Sequence, residues 1–286
     1  MKFSKLINFF SNFVDGKIIK KIKNWLINFN FKDRHTPFKK IKKIYLNRKY
    51  HINNFYYDAY DYSHVSQLIY SSYEQDNFSY YLNSFKENEN FIDIGSNIGV
   101  HSFFILKYLN PKNVISIEPQ KLCIDLQKKT LKNNIELNAD KIHFINSAVG
   151  KKTNIKMFRN NTGSGTLVDD FGKDYIDKNN LNTLAITKII IEDIFKRISN
   201  NVTNIKIDTQ GSEIDILEEI YSSKFINNVN KIIFEVNLNR IDEFKTILKN
   251  YTGKFKLINF NESEILIDDL SHHVKKCLIL SNKLLP

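Results

Sequence analysis

Cysteine is scarce in this chain: Cys123 and Cys277 are the only two among 286 residues. They lie far apart in no metal-binding or redox spacing, so a disulfide framework is excluded and a reducing compartment is expected. No stretch approaches the roughly 18 uncharged apolar residues that a membrane-spanning helix needs. The N-terminus has neither the compact apolar core nor the small-residue cleavage site of a signal peptide. Together these absences lead us to expect a cytoplasmic protein. No histidine-rich or acid-dense cluster announces a metal centre, so no metal site is assigned, and a divalent ion remains an unindicated alternative. No segment resembles a nucleic-acid module, and no nucleic-acid partner is expected.

The charge that is present is unevenly spread. Of the net +11, residues 1–50 carry 14 Lys and Arg against Asp15 and Asp33, a balance of +12, while residues 51–286 come to −1. The basic character belongs to the N-terminal end, and the remainder is neutral. In residues 6–31 apolar side chains recur every three or four positions with lysines between them, the pattern of an amphipathic helix or of two short ones broken near Gly16. Residues 1–72 are therefore expected to form a basic helical extension. Its apolar stripe is expected to pack on its own domain or a second subunit, while a peripheral contact with an anionic membrane or an acidic partner is the alternative.

From residue 90 the pattern changes. Short β-branched runs, FIDIG, NVISIE (113–118), KIHFINSAVG (141–150), NIKIDTQG (204–211) and KIIFEV (231–236), are separated by helical stretches such as residues 123–137 and 212–223. Nearly continuous apolar strands alternating with helices imply a parallel sheet covered on both faces, a doubly wound α/β fold. In such sheets the ligand sits beyond the carboxyl ends of the strands, where strand order reverses. The first run ends in Asp93, Gly95, Ser96, Asn97 and Gly99, and a helix is expected to start near Val100. The second ends in Glu118 and Pro119, where a carboxylate can accept both hydroxyl protons of a ribose.

A dinucleotide enzyme and a methyltransferase would both use that arrangement. The dinucleotide fingerprint needs a middle glycine to clear room for a pyrophosphate, and here Asn97 stands in its place. Asp93 would repel a pyrophosphate yet can accept a hydrogen bond from an amino group. The loop is read as one for S-adenosylmethionine, with Asn97 toward the amino-acid carboxylate. Asn146, Ser147 and Ala148 end the third run, where an adenine would lie.

FIDIGSNIGVHSFF, ISIEPQ, NSAVG and above all IKIDTQGSEIDILEE (205–219) resemble the FkbM family of S-adenosylmethionine-dependent methyltransferases over roughly residues 73–240. That resemblance implies a class I, Rossmann-like methyltransferase sheet of seven strands over residues 73–270, followed by a tail, 271–286. It also implies methylation of a hydroxyl, often on a sugar in a polysaccharide, glycan or glycosylated metabolite. KFKLINF (254–260) and SEILIDDL (263–270) are expected to form the antiparallel pair that closes such a sheet.

An alcohol is hardly acidic, so transfer to it calls for positioning and a base. The strand-end acids Asp208, Glu213 and Glu235 are the candidates, Asp208 first. Alternatives are a cation held by Asp208 and Glu235, and His64 or His101 as base; His272 and His273 are expected to have no chemical role. The fifty residues between the third and fourth runs are longer than an ordinary crossover. KTNIKMF (152–158) and TKIIIEDIF (187–195) are expected to form extra strands around residues 160–175, read as a lid or acceptor loop presenting Ser164, Thr166 and Asp169. A reading from another class, a non-enzymatic cofactor-binding or docking subunit, stays open, and an NAD-dependent enzyme is less favoured.

Overall fold

Apolar runs become strands buried on both sides, which a central sheet between two helical layers permits. A computed structural model describes residues 37–46, 55–61, 75–150, 156–160, 164–166, 182–185, 188–198, 201–272 and 277–285. Strands β1 (Pro37–Leu46) and β2 (Phe55–Asp61) precede helix α1 (Gln75–Ser84). Next come β3 (Asn90–Ile94), α2 (Val100–Tyr108), β4 (Asn113–Ile117), α3 (Lys121–Asn133) and β5 (Ile142–Ile145) in strict alternation. The long crossover holds β6 (Ala148–Val149), β7 (Lys156–Asn160), β8 (Ser164–Thr166), β9 (Asn182–Ala185), β10 (Lys188–Ile189) and α4 (Ile191–Phe195). The last elements are β11 (Thr203–Ile207), α5 (Glu213–Ser222), β12 (Val229–Glu235), α6 (Ile241–Tyr251), β13 (Phe255–Ile258) and β14 (Cys277–Asn282).

Seven strands form one sheet in the order β13-β14-β12-β11-β3-β4-β5. Neighbours from β12 to β5 run parallel, and β14 lies antiparallel between β12 and β13. This is the expected class I, doubly wound methyltransferase sheet. Alternate residues serve opposite faces: Ile92, Ile94, Ile205 and Ile207 join α4, α5 and α6 in one core, while Phe91 and Val114 join β2, α1, α2 and α3 in the other. Fully burying each such side chain contributes about 2–3 kcal/mol. The chain winds from β3 outward to β5, then returns to β11 on the other side, so strand order reverses between β3 and β11. There Asp93 is in register with Lys206, and Ile94 with Ile207.

Two expectations need correction. Residues 263–270 do not form the closing strand: they give one bridge, Ile258 to Glu264, and a 3-10 turn, Ile267–His272. The partner of β13 is β14, within what was expected to be a tail, and its CLILS core is hidden in sequence by the lysines around it. Residues 37–46 and 55–61, within the expected extension, are strands: β1 and β2 pair antiparallel. Phe55, Tyr57 and Ala59 of β2 are buried, with Phe55 and Tyr57 against Phe103. The backbone N–H groups of Tyr56 and Asp58 donate to Asn134 and Thr130 at 2.9 and 3.1 Å, so β2 is bonded to α3. The expected helix of residues 6–31 lies outside the described residues, as do His64 and His273. Among the described residues no helix is long and apolar enough to cross a membrane.

Candidate active site

The loop from β3 to α2 is built to lie flat against its neighbours. Gly95 and Ser96 donate their backbone N–H groups to the Ile117 carbonyl at 2.9 and 3.0 Å, tying the loop to the end of β4. Gly95, Asn97 and Gly99 have φ of 80°, 50° and 82°, left-handed values that glycine adopts freely and asparagine tolerates. A Cβ on Gly95 would stand 1.8 Å from the Asp208 carbonyl oxygen, so that glycine makes room for the end of β11. Ser96 turns its hydroxyl inward to Ser116 at 2.8 Å and to the Gln127 amide at 2.9 Å, which leaves its backbone as its contribution to the loop surface. Gln127 also donates to the Asn97 carbonyl at 2.6 Å. Neither Ser116 nor Gln127 was legible as a site residue, because each sits inside an otherwise ordinary strand or helix.

Asp93, expected to receive an amino group, is completely buried behind this loop. Its Oδ2 accepts from the Ser102 N–H and hydroxyl at 3.2 and 2.6 Å, and its Oδ1 lies 4.0 Å from the Lys206 ammonium. Its Oδ2 fixes the start of α2, and its Oδ1 has no hydrogen-bond partner among the described residues.

Glu118 follows β4 as the sequence implies, and is buried. Its Oε2 accepts from the Asn97 N–H at 3.0 Å and its Oε1 from the Gln120 N–H at 2.9 Å, leaving each oxygen a second lone pair. Burial pushes its carboxyl up to about 7; the two backbone donors oppose this, and the Asp93 and Asp208 charges add to it. Asn146 donates to the carbonyls of Glu118 and Pro119 at 2.9 Å each, so its amide holds the turn on which Glu118 stands. Ala148 belongs to β6, paired with β10, beside Ser147. The buried Gln120 Oε1 has no hydrogen-bond partner among the described residues. Buried acceptors grouped in this way suit a nucleoside that brings hydroxyl and amine donors, as adenosine does, and not a pyrophosphate, which brings acceptors only. The residues present fit S-adenosylmethionine. In the role expected for Glu118, with ribose hydroxyls donating to the ionised carboxylate, cofactor affinity should fall as pH drops below about 7, and Glu118→Gln should flatten that dependence; calorimetric titration between pH 5.5 and 8.5 checks both.

The third part of the site is the turn after β11. Asp208 Oδ2 accepts from Lys206 Nζ at 3.2 Å and its Oδ1 from Gln210 Nε2 at 2.9 Å, while its side chain stays 32% exposed. Glu235, ending β12, accepts from the same Gln210 nitrogen at 3.0 Å. No group of three or more His, Cys, Asp or Glu placed to hold a metal ion occurs among the described residues. Glu213 is nearly sealed from solvent and serves the turn: Oε1 accepts from Thr209 N and Oγ1 at 2.8 and 3.0 Å, Oε2 from Gly211 N at 2.8 Å. Its oxygens are committed to structure, which argues against proton transfer by this residue. Glu213→Ala should cost about 3 kcal/mol by stranding those donors, readable as a lower midpoint in urea, with Glu213→Gln recovering part.

Of the acceptor-loop residues, Ser164 and Thr166 lie on β8, paired to Asn160 and Phe158 of β7, while Asp169 falls outside the described residues. Of the two extra strands expected in the crossover, 152–158 is met by β7, which pairs with β8 and β9 in a small sheet, whereas 187–195 gives only the two-residue β10 before turning into helix α4. His101 hydrogen-bonds the Tyr81 hydroxyl at 2.9 Å and packs on Phe78, a buried structural histidine.

The model of the methyltransferase FkbM domain matches residues 93–266. Among solved structures, the methyltransferase FkbM from Methylobacillus flagellatus KT is 16% identical, with 77% of this chain and 53% of that one covered and a TM-score of 0.44. This chain thus spans about half of that protein. The M. capricolum TrmK in complex with S-adenosyl-homocysteine is 11% identical over 72% of this chain and 68% of that chain, TM-score 0.40. Trm5b from Pyrococcus abyssi is 10% identical over 85% and 56%, TM-score 0.42. Comparison with curated proteins finds no match. Since the domain match runs from the acid of β3 to the turn beyond β13, the chain belongs to the FkbM family of methyltransferases.

Proposed function

We propose that this methyltransferase transfers the methyl group of S-adenosylmethionine to a hydroxyl of a neutral sugar, in a polysaccharide, a glycan or a glycosylated metabolite. The observation that carries this reading is Asp208: a partly exposed carboxylate at the strand-order reversal, held from both sides by Lys206 and Gln210. S-adenosylmethionine supplies an electrophilic methyl on a sulfonium, so the acceptor oxygen needs only orientation and loss of its proton. In this reading Asp208 would take that proton as the O–C bond forms and the methyl C–S bond breaks, leaving S-adenosylhomocysteine, and Glu235 would orient a neighbouring hydroxyl. Glu118 and Gln120 hold the nucleoside, the Gly95–Gly99 loop backbone lies along the methionine moiety, and Asn146, Ser147 and Ala148 border the adenine. Ser164, Thr166 and Asp169 belong to a loop that meets the sugar.

Two carboxylates on the acceptor side favour a neutral acceptor over a polyanion, because the phosphates of RNA or a uronic acid would meet Asp208 and Glu235 at close range. The test is transfer of labelled methyl to a panel of neutral glycosides, with uronic-acid glycosides and an RNA transcript as the opposing arms. Label on neutral glycosides supports the reading, and label confined to RNA overturns it. Truncation of residues 1–50 separates the other role considered: methyl transfer in vitro that survives truncation, with activity in cells lost, would mark the extension as a docking element.

A further inference from the structure

Gln210 stands between the two acids that end β11 and β12. Its Nε2 donates to Asp208 Oδ1 at 2.9 Å and to Glu235 Oε2 at 3.0 Å, one hydrogen to each. The orientation of the amide follows from chemistry: ionised carboxylates only accept, so its NH2 end alone can face both. Placing the side chain there requires φ of 58°, a conformation rarely adopted by residues with a Cβ. The turn enforces it, since Glu213 grips the N–H groups on either side, at Thr209 and Gly211. From below, Arg240 donates to the Gly211 carbonyl at 2.6 Å while its other nitrogens pair with Glu243. An unfavourable backbone held by that many bonds delivers one amide to one place.

Two carboxylates within reach of a single nitrogen would otherwise repel each other, and one of them would hold a proton to higher pH. Lys206 lies on the opposite oxygen of Asp208 and is shared with Asp93, Glu118 acts on Asp208 from β4, and Glu213 does so from α5. We propose that Gln210 is a positioning residue whose amide keeps Asp208 and Glu235 ionised side by side and fixes the direction in which Asp208 faces the acceptor. Its functional meaning rests on the reading of Asp208 as the base; the bridge itself can be measured without any acceptor.

The experiment is a pH titration of the side-chain carboxyl carbons by NMR on the full chain, with Asp208 and Glu235 assigned through Asp208→Asn and Glu235→Gln. In Gln210→Gly one of the two should titrate about one pH unit higher than in the parent. The melting temperature should hold or rise, because glycine adopts this backbone readily. Gln210→Glu, which puts a third carboxylate between the pair, should move the same resonance at least as far. Titration curves that coincide with the parent's in both variants would overturn the proposal, whatever happens to the melting temperature. Full methyl transfer by Asp208→Asn, with the Gln210→Gly shift still present, would remove the base and leave the bridge standing.

Discussion

Asp208→Asn is expected to lower kcat by about 10²–10⁴-fold, the usual worth of a positioned general base, with S-adenosylmethionine affinity little changed. The substitution is nearly isosteric, and Lys206 keeps a partner in Asp93, so the β11 turn should hold its shape. What is lost is specific: the amide of asparagine has one accepting atom and cannot receive both Lys206 and Gln210 while taking a proton. The measurement is the rate of methyl transfer to the glycoside found in the acceptor panel, beside a calorimetric titration with the cofactor. An unchanged kcat would show that orientation alone suffices for this acceptor. A collapse of cofactor binding would place Asp208 in the cofactor site instead.

Gly95→Ala should be strongly damaging. Its methyl would stand 1.8 Å from the Asp208 carbonyl oxygen, and backbone φ there is 80°. Neither the loop nor β11 can yield cheaply. The loop is pinned to Ile117 by two hydrogen bonds, and Asp208 N is bonded to the Ile94 carbonyl at 2.9 Å. Strain of about 1–3 kcal/mol from backbone conformation adds to the steric term, so a loss of at least 3 kcal/mol is expected. Thermal unfolding and cofactor titration read it together. Gly253→Ala is the control: its φ lies outside the left-handed range and a Cβ there meets nothing within 4 Å among the described residues, so it should cost far less.

The loops of the candidate cofactor site were legible because strand ends and turns are local in sequence. FIDIG and ISIE announce Asp93 and Glu118 by their position after apolar runs, and the structure puts both loops at the sheet's reversal. What the residues do there was less legible, because it depends on contacts between distant segments. Asp93 gives no sign in sequence that one of its oxygens is taken by Ser102, and Ser96 looks available until its hydroxyl is found on Ser116. Gln210 reads as an ordinary turn residue; its meaning comes from Glu235, 25 positions away. The closing strand was misplaced for a related reason. Alternation in SEILIDDL looks like a strand, but a strand needs a partner edge, and residues 277–282 take that edge.

That late strand has a consequence for how the protein is made. On a ribosome β12 emerges some forty residues before β14, and until β14 arrives the edge bearing Glu235 offers unpaired backbone groups to any other chain. Glu235 itself pairs with Cys277, the first residue of the missing strand. The Glu235 edge of the candidate site is thus among the last parts to be completed, and a nascent chain holding everything up to α6 would carry the β3–α2 loop beside an adhesive, half-built edge.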